Sequence, residues 1–298
     1  MITAIPHMTC PVCGAENWKL IFDCKDFSIS QQQFSIAECE NCSLRITVGA
    51  PDKESIGPYY KSEEYISHTN TNKGFINQLY QWVRKYMLSK KRKLIEDVSG
   101  KKVGALLDYG SGTGAFVRYM KQAGWITTGI EPDADARKVA TEQFQITLLE
   151  AGELQNLQSS QFDVITLWHV LEHIHDVQRT IQKLKDLLKP DGVLIIAVPN
   201  YTSLDAYHYG PYWAAYDVPR HLHHFSPYSM EQLMKNNGLR VISKKPLWFD
   251  SFYVSLLSSR YQFGKTNYVD GFWQGIRSTR KTMSDVERCS SLIYVVTQ

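Results

Sequence analysis

Three glycines at alternate positions, Gly110, Gly112 and Gly114, follow Asp108 at the end of an apolar run. Glycine at this spacing lets the backbone turn sharply and lie against a ligand where a Cβ would collide. A second acid, Glu131, stands about 20 residues after the turn, the separation at which a carboxylate accepts hydrogen bonds from both ribose hydroxyls of an adenosine-bearing cofactor. Read as Gly110-x-Gly112-x-x-Ala115, the turn also meets the dinucleotide pattern, with a pyrophosphate on the helix N-terminus. Asp108 weighs against that version, because a carboxylate at the strand end repels a pyrophosphate and suits a cationic ligand. Near the N-terminus, Cys10, Cys13, Cys39 and Cys42 form two Cys-x-x-Cys knuckles. Four thiolates so spaced suit a structural tetrahedral zinc site, with disulfides as the alternative. Histidines supply the third chemistry: His169 and His173 after a buried strand, and His221 in a later loop, are candidate proton acceptors, with Glu172 or Asp217 placed to orient one of them.

These residues need particular elements to hold them. Val103 to Leu107 reads as a strand, Ala115 to Ala123 as an amphipathic helix, and Trp125 to Ile130 as a second strand ending in Glu131-Pro132-Asp133. Ile146 to Leu149 is a short strand leading to the turn Glu150 to Leu154. A buried strand from Phe162 then runs into the His-rich turn. Asp176 is an N-cap for a helix over Val177 to Leu188, Lys189-Pro190-Asp191-Gly192 stops it, and Val193 to Val198 is another buried strand. Leu239 to Leu247 and Ser291 to Thr297 read as the last two strands.

With this order on the page, the chain resembles the class I S-adenosylmethionine methyltransferases from about Val103 to Asn200. Asp-x-Gly-x-Gly-x-Gly is similar to their first motif and the Lys-Pro-Asp-Gly strand to their later ones. The resemblance implies an α/β fold: a Rossmann-like sheet with a terminal antiparallel hairpin, plus a small N-terminal zinc ribbon. It implies S-adenosylmethionine held by Asp108, Gly110, Ser111, Gly112, Thr113, Gly114, Glu131 and Pro132, with Gly152, Glu153 and Leu154 in the turn that passes the adenine and Trp168 also against the cofactor. It also implies methyl transfer to a small-molecule acceptor. A ribbon ahead of such motifs resembles bacterial sugar and secondary-metabolite methyltransferases, which extends the expectation to sugar nucleotides and glycan precursors. An NAD-dependent oxidoreductase and a non-catalytic zinc-ribbon module that retains the cofactor are the rival readings.

The division expected is a zinc ribbon over 1–48, an aromatic linker and helical cap over 49–100, and a methyltransferase domain over 101–298 with an insertion at about 248–288. The linker, Pro51 to His68, carries Tyr59, Tyr60 and Tyr65. A helix over Lys73 to Val98 is spaced by Phe75, Ile76, Leu79, Trp82, Val83, Tyr86, Leu94 and Ile95, with Lys90-Lys-Arg-Lys93 as a solvated face. The loop Asp217 to Ser226 borders the acceptor, where Arg220 is a candidate anion clamp and His223 and His224 hydrogen-bond the loop. The insertion carries Trp248, Phe249, Phe252, Tyr253, Phe263, Tyr268, Phe272 and Trp273, with packing over the sheet as the default expectation and an acceptor pocket or a dimer contact as the alternatives. At 298 residues, 43% hydrophobic and net +3, the chain has too little positive charge to need a nucleic acid partner. It lacks a bilayer-length apolar run and is expected in the cytoplasm, as a monomer or homodimer.

Overall fold

The structure is a computed structural model that describes residues 8–60, 75–248 and 250–298, with the backbone alone for 75–82 and 84. Tyr65, Ile66, Ser67, His68, Lys73 and Phe249, and the side chains of Phe75, Ile76, Leu79 and Trp82, therefore lie outside it. Among the described residues, ten strands form two sheets. The first has the order β1 (Trp18–Lys25), β2 (Gln33–Cys39), β3 (Arg45–Val48), β8 (His223–His224). The second is the mostly parallel sheet expected, in the order β5 (Ile126–Ile130), β4 (Ala105–Tyr109), β6 (Phe162–Trp168), β7 (Leu188–Pro199), β10 (Ser291–Thr297), β9 (Arg240–Pro246). By contact, the described chain forms two units. One holds the residues up to Tyr60 with His169–Thr180 and Ala197–Tyr294, and the other holds the chain to Trp168 with Ile181–Ile196 and Val295–Gln298.

In the second of these units, β4 pairs in parallel with both β5 and β6. Central parallel strands are covered on both faces, which is why β6 is an unbroken apolar run interrupted by Asp163 and Thr166 alone. Helix α1 (Phe75–Ser99) precedes the sheet, and α2 (Ala115–Gln122) follows β4, burying Phe116, Val117 and Met120 on one stripe. Helix α3 (Ala134–Phe144) starts at Asp133, whose side chain accepts from the Ala136 N–H. The strand expected over Ile146 to Leu149 shrinks to a single bridge, Ile130 to Leu149, because Gln145 ends α3 with positive φ and only Leu149 comes into register. Helix α4 (Val177–Leu187) is capped by Asp176 as read, but pairing begins at once: β7 includes the Lys-Pro-Asp-Gly segment.

The other unit joins the ribbon to the later loop. His223 and His224 pair antiparallel with Ile46 and Arg45, so the ribbon shares its sheet with residues far along the chain instead of closing at residue 48. Both histidines are buried; burial depresses His223 to about 4 and holds His224 neutral as well, and Thr47 hydrogen-bonds His224. Beyond them come α5 (Leu204–Tyr209), α6 (Pro227–Asn236) with its Ser226 capping box, and the helical pair α7 (Asp250–Phe263) and α8 (Tyr268–Ser284).

One buried acid fastens the ends of the mostly parallel sheet. Asp163 accepts from Lys101, Lys189 and the Ala105 N–H at 2.5, 2.9 and 2.7 Å. Against the upward push of burial, these donors hold its carboxyl down to about 2. A depressed acid stabilises above its unfolded pKa, so this contribution is complete above about pH 4 and is lost as pH falls through about 2. Asp163→Asn is expected to cost about 2 kcal/mol in urea unfolding at pH 7. The gap from the parent should close between about pH 4 and pH 2; a gap unchanged over that interval would discard the assignment.

Candidate functional site

The glycine turn sits where β4 ends. Gly110, Gly112 and Gly114 all have positive φ, and the N–H groups of Gly110 and Ser111 both donate to the Ile130 carbonyl, at 2.8 and 2.9 Å. A Cβ on Gly112 would meet nothing within 4 Å, so that side of the loop is open to a ligand, whereas one on Gly114 would press on Ala140 at 3.1 Å. Glu131 ends β5 and reaches back: one carboxylate oxygen accepts from the Gly112 N–H at 2.7 Å and the other from Asp133 at 3.0 Å. Each oxygen keeps a second lone pair for a hydroxyl. Burial raises the carboxyl of Glu131.

Asp108 lies beneath the loop and accepts from the Thr166 hydroxyl at 2.7 Å. Burial pushes its carboxyl up to about 6, against that hydroxyl and the nearby Lys91 ammonium. Lys91 is the unexpected member. Read from sequence as part of a solvated run, it instead places Nζ 4.3 Å from the Trp168 ring centre and 5.5 Å from that of Phe116. Desolvation lowers it to about 8, opposed by Asp108. Its neighbours do behave as a solvated face, Arg92 pairing with Glu96 and Lys93 with Asp97. No spacing rule announces Lys91, because only the packing of α1 turns it inward. Thr113 borders the loop and Pro132 is exposed; Gly152 and Glu153 are exposed on the turn Ala151–Asn156, and Leu154 is buried.

The candidate proton acceptors gather in the other unit. His169 has φ 57°, a left-handed conformation that a non-glycine residue holds only when its surroundings enforce it, and its N–H donates to Ala197. The side chain of Glu172 is 1% exposed, and neither carboxylate oxygen has a hydrogen-bond partner among the described residues, although His169 Nδ1 approaches to 3.4 Å. Against the push of burial, His169, His221 and His173 keep this acid below the usual carboxylate range. His173 Nδ1 lies 3.0 Å from the Arg220 carbonyl and 3.1 Å from Tyr60 Oη; His221 Nδ1 lies 2.9 Å from the Ala215 carbonyl. A carbonyl only accepts, so Nδ1 carries the proton on both rings, which leaves Nε2 of each as the atom that can take a proton. Burial and the charge of His221 depress His173 to about 4. Glu172, His173 and His221 bring one donor atom each within 4.8 Å of the others, a set that could equally hold a divalent cation.

Asp217 and Arg220 do something else. Arg220 donates to both Asp217 oxygens, at 3.0 and 2.6 Å, to Asp26 at 3.1 Å, to the Tyr59 carbonyl and to Ser28. Most of its fork is taken up by the protein, so it braces the loop in place of the open anion clamp expected from sequence. Asp26, the partner that sequence gave no sign of, is held down to about 2 by the Ser30 N–H and Arg220 against burial. Asp217 stands 3.9 Å from His221 Nε2.

At the ribbon, Cys10 Sγ lies 3.5 Å from Cys42 Sγ and Cys13 Sγ 3.5 Å from Cys39 Sγ, all four within 4.8 Å of one another. A tetrahedron of zinc–sulfur bonds has edges of about 3.8 Å, so the donor set fits that ion. Each knuckle is a tight turn, the Gly14 N–H donating to Cys10 and the Ser43 N–H to Cys39, both at 2.9 Å. All six cysteines are unbridged.

Comparison with known proteins decides the family. A family model described as a methyltransferase domain matches residues 82–244, more than half of the chain. The chain belongs to the methyltransferase domain family. It is 40% identical over 119 residues to a ubiquinone biosynthesis O-methyltransferase of Haemophilus ducreyi, covering 36% of this chain and 49% of that protein. A protein of the same description from Rickettsia typhi is 27% identical over 206 residues, covering 64% of this chain and 82% of the relative. The chain thus spans about half the length of the Haemophilus relative and most of the Rickettsia one. Among solved structures, the 1,6-didemethyltoxoflavin-N1-methyltransferase of Burkholderia thailandensis superposes with TM-score 0.50 at 13% identity, covering 92% of this chain and 100% of that one. That likeness shows the fold.

The Arg220 brace has a direct test. Arg220→Met leaves Asp26 and Asp217 without their cation, and urea unfolding should show a loss of about 3–5 kcal/mol. Asp26→Asn with the arginine intact should cost less; equal stability of Arg220→Met and the parent would remove the brace.

Proposed function

We propose that the protein is an S-adenosylmethionine-dependent methyltransferase that methylates an oxygen of a small-molecule acceptor. The observation that carries the reading is the pair of acids on the glycine loop: Asp108 buried beneath it and Glu131 drawn onto the Gly112 N–H. Two carboxylates suit a ligand with ribose hydroxyls and positive charge and oppose a pyrophosphate, which disfavours an NAD-dependent oxidoreductase. When bound, S-adenosylmethionine supplies an activated methyl group on a cationic sulfur that leaves as a neutral thioether. Asp108 balances the positive charge, Glu131 accepts the ribose hydroxyls, and the backbone of Gly110, Ser111, Gly112, Thr113 and Gly114 cradles the ligand. Pro132, Gly152, Glu153 and Leu154 flank the base, and Trp168 borders the charged end of the ligand with Asp108.

Nε2 of His173 or His221 takes the acceptor's hydroxyl proton, and the buried charge of Glu172 stabilises the imidazolium so formed. His169 orients Glu172, the Arg220 and Ala215 carbonyls orient His173 and His221, and the Asp217–Arg220 pair braces the loop that carries them. The O-methylation named for the Haemophilus and Rickettsia relatives favours an oxygen acceptor. The ribbon ahead of the motifs favours a sugar nucleotide or secondary-metabolite precursor as its carrier.

Calorimetric titration with S-adenosylhomocysteine and, separately, NADH tests the cofactor. The first should bind and the second should not, and Glu131→Ala should weaken the first at least about tenfold. Asp108 protonates below about pH 6 and then balances no charge, so affinity for S-adenosylmethionine should fall as pH drops below about 6 and level off above it. Binding of NADH alone would overturn the reading. In methyl transfer to phenol and sugar-nucleotide panels, His173→Ala and His221→Ala should lower kcat while leaving S-adenosylhomocysteine affinity unchanged. Loss of affinity in both would sink the base assignment, and a rate that climbs with added Mg2+ would assign the triad to a metal.

Within the same reading, Cys10, Cys13, Cys39 and Cys42 hold one structural zinc that clips the two knuckles. Elemental analysis should find about one zinc per chain. Cys39→Ser should lose it and melt at lower temperature; metal-free protein of unchanged melting temperature would exclude the site.

A further inference from the structure

The helices α7 and α8 are packed inside out. The face of α8 that the protein covers is Gly271, Gln274, Gly275, Ser278 and Thr282, and the covered face of α7 is Ser251, Val254, Ser255, Ser258 and Ser259. Small side chains let the two axes approach closely. A Cβ on Gly271 would meet the Leu256 backbone at 2.9 Å, and one on Gly275 would meet the Phe252 ring at 2.6 Å. Most of the buried hydroxyls find partners inside the protein: Ser258 accepts from the Ala214 N–H, Ser278 donates to the buried Asp205, and Ser251 meets Thr279, whereas Ser255 Oγ has no hydrogen-bond partner among the described residues. Burial between the two helices is largely polar, although Val254, Leu257 and Tyr261 of α7 pack on the apolar cluster around Trp213 and Tyr216.

The aromatic residues of α8 are outside. On α8, Tyr268, Val269, Phe272, Trp273 and Met283 are 57 to 74% exposed. Successive residues of a helix are about 100° apart, which places all five on one arc of about 140°, opposite the glycine face. Tyr253 and Phe263 of α7 are exposed as well. This corrects the expectation that the aromatic insertion packs over the sheet. Charge is arranged to match. Between residues 260 and 281 there are five bases, Arg260, Lys265, Arg277, Arg280 and Lys281, and one acid, Asp270. The acid is occupied by the Tyr209 hydroxyl at 2.8 Å. By the same 100° step, Arg280 falls among the aromatics, and Arg277 and Lys281 lie about 40° and about 80° past one edge of them.

We propose that the exposed face of α7 and α8 docks on the surface of an anionic lipid bilayer, with the α8 aromatics at headgroup depth and the bases on the lipid phosphates. Small residues between helices, aromatics outward and a basic rim are what such a surface selects. A patch of this size in water is otherwise a liability. A second copy of the chain would bring the same bases face to face, which opposes it as the occupant. Among the described residues no helix is long and apolar enough to cross a membrane, so the contact is peripheral. The proposal does not depend on the methyl-transfer reading.

Co-sedimentation of the full chain with vesicles of phosphatidylcholine, with and without about 30% phosphatidylglycerol, tests it. The parent should pellet with the anionic vesicles and release with salt. Phe272→Ser/Trp273→Ser should lower partition at least about tenfold with far-ultraviolet circular dichroism unchanged. Because aromatic variants can misfold, Arg277→Gln/Arg280→Gln/Lys281→Gln provides an independent arm, with an expected fall of about a hundredfold. The proposal is overturned if the parent stays in the supernatant, if the charge variant pellets like the parent, or if sedimentation without lipid finds a dimer that Phe272→Ser/Trp273→Ser dissolves.

Discussion

The Glu131 carboxylate holds the glycine turn in place. It accepts from Gly112 on one side and Asp133 on the other, and so ties the end of β4 to the start of α3 across the end of β5. Three positive-φ glycines have many alternatives open to them, and a charge-assisted bond to a backbone N–H removes most of that freedom. The two N–H groups that converge on the Ile130 carbonyl complete the restraint. A loop so tied presents its open side in one conformation, and the burial of Asp108 beneath it follows from that geometry.

The other unit depends on a comparable but larger arrangement of buried ions. Arg220 unites Asp26 of the ribbon with Asp217 of the later loop, while β8 adds to the ribbon's sheet. Segments almost two hundred residues apart thereby become one structure. His173 and His221 owe their tautomers to carbonyls of this loop, Arg220 and Ala215. The brace and the histidines are thus parts of one construction, and the residue that holds the loop also sets the protonation of its neighbour.

Local chemistry was legible in the sequence and orientation was not. Positions separated by a few residues, such as Asp108 with its glycines or each Cys-x-x-Cys pair, have geometry dictated by the intervening backbone. Asp176 capping α4 and the strand limits at Ser291 and Thr297 belong to the same class. Arg220 failed as an expected clamp because its partner Asp26 lies far back in the chain, and only the assembled sheet brings them together. The aromatic insertion failed for a different reason. Apolar residues were assigned to the inside, whereas Gly271, Gly275 and the serines of α7 make the tighter interface and turn the rings outward.

Lys91 carries a last implication. An ammonium already stands against Trp168 and close to the charge of Asp108. Occupation of the Trp168 face by any other cation is therefore an ion exchange, in which the lysine is displaced or shares its counter-ion. A molecule that arrives with positive charge and departs without it would leave that place to the lysine again. The polypeptide thus carries its own competitor, tethered on α1, and the local charge balance differs between the two halves of such a cycle.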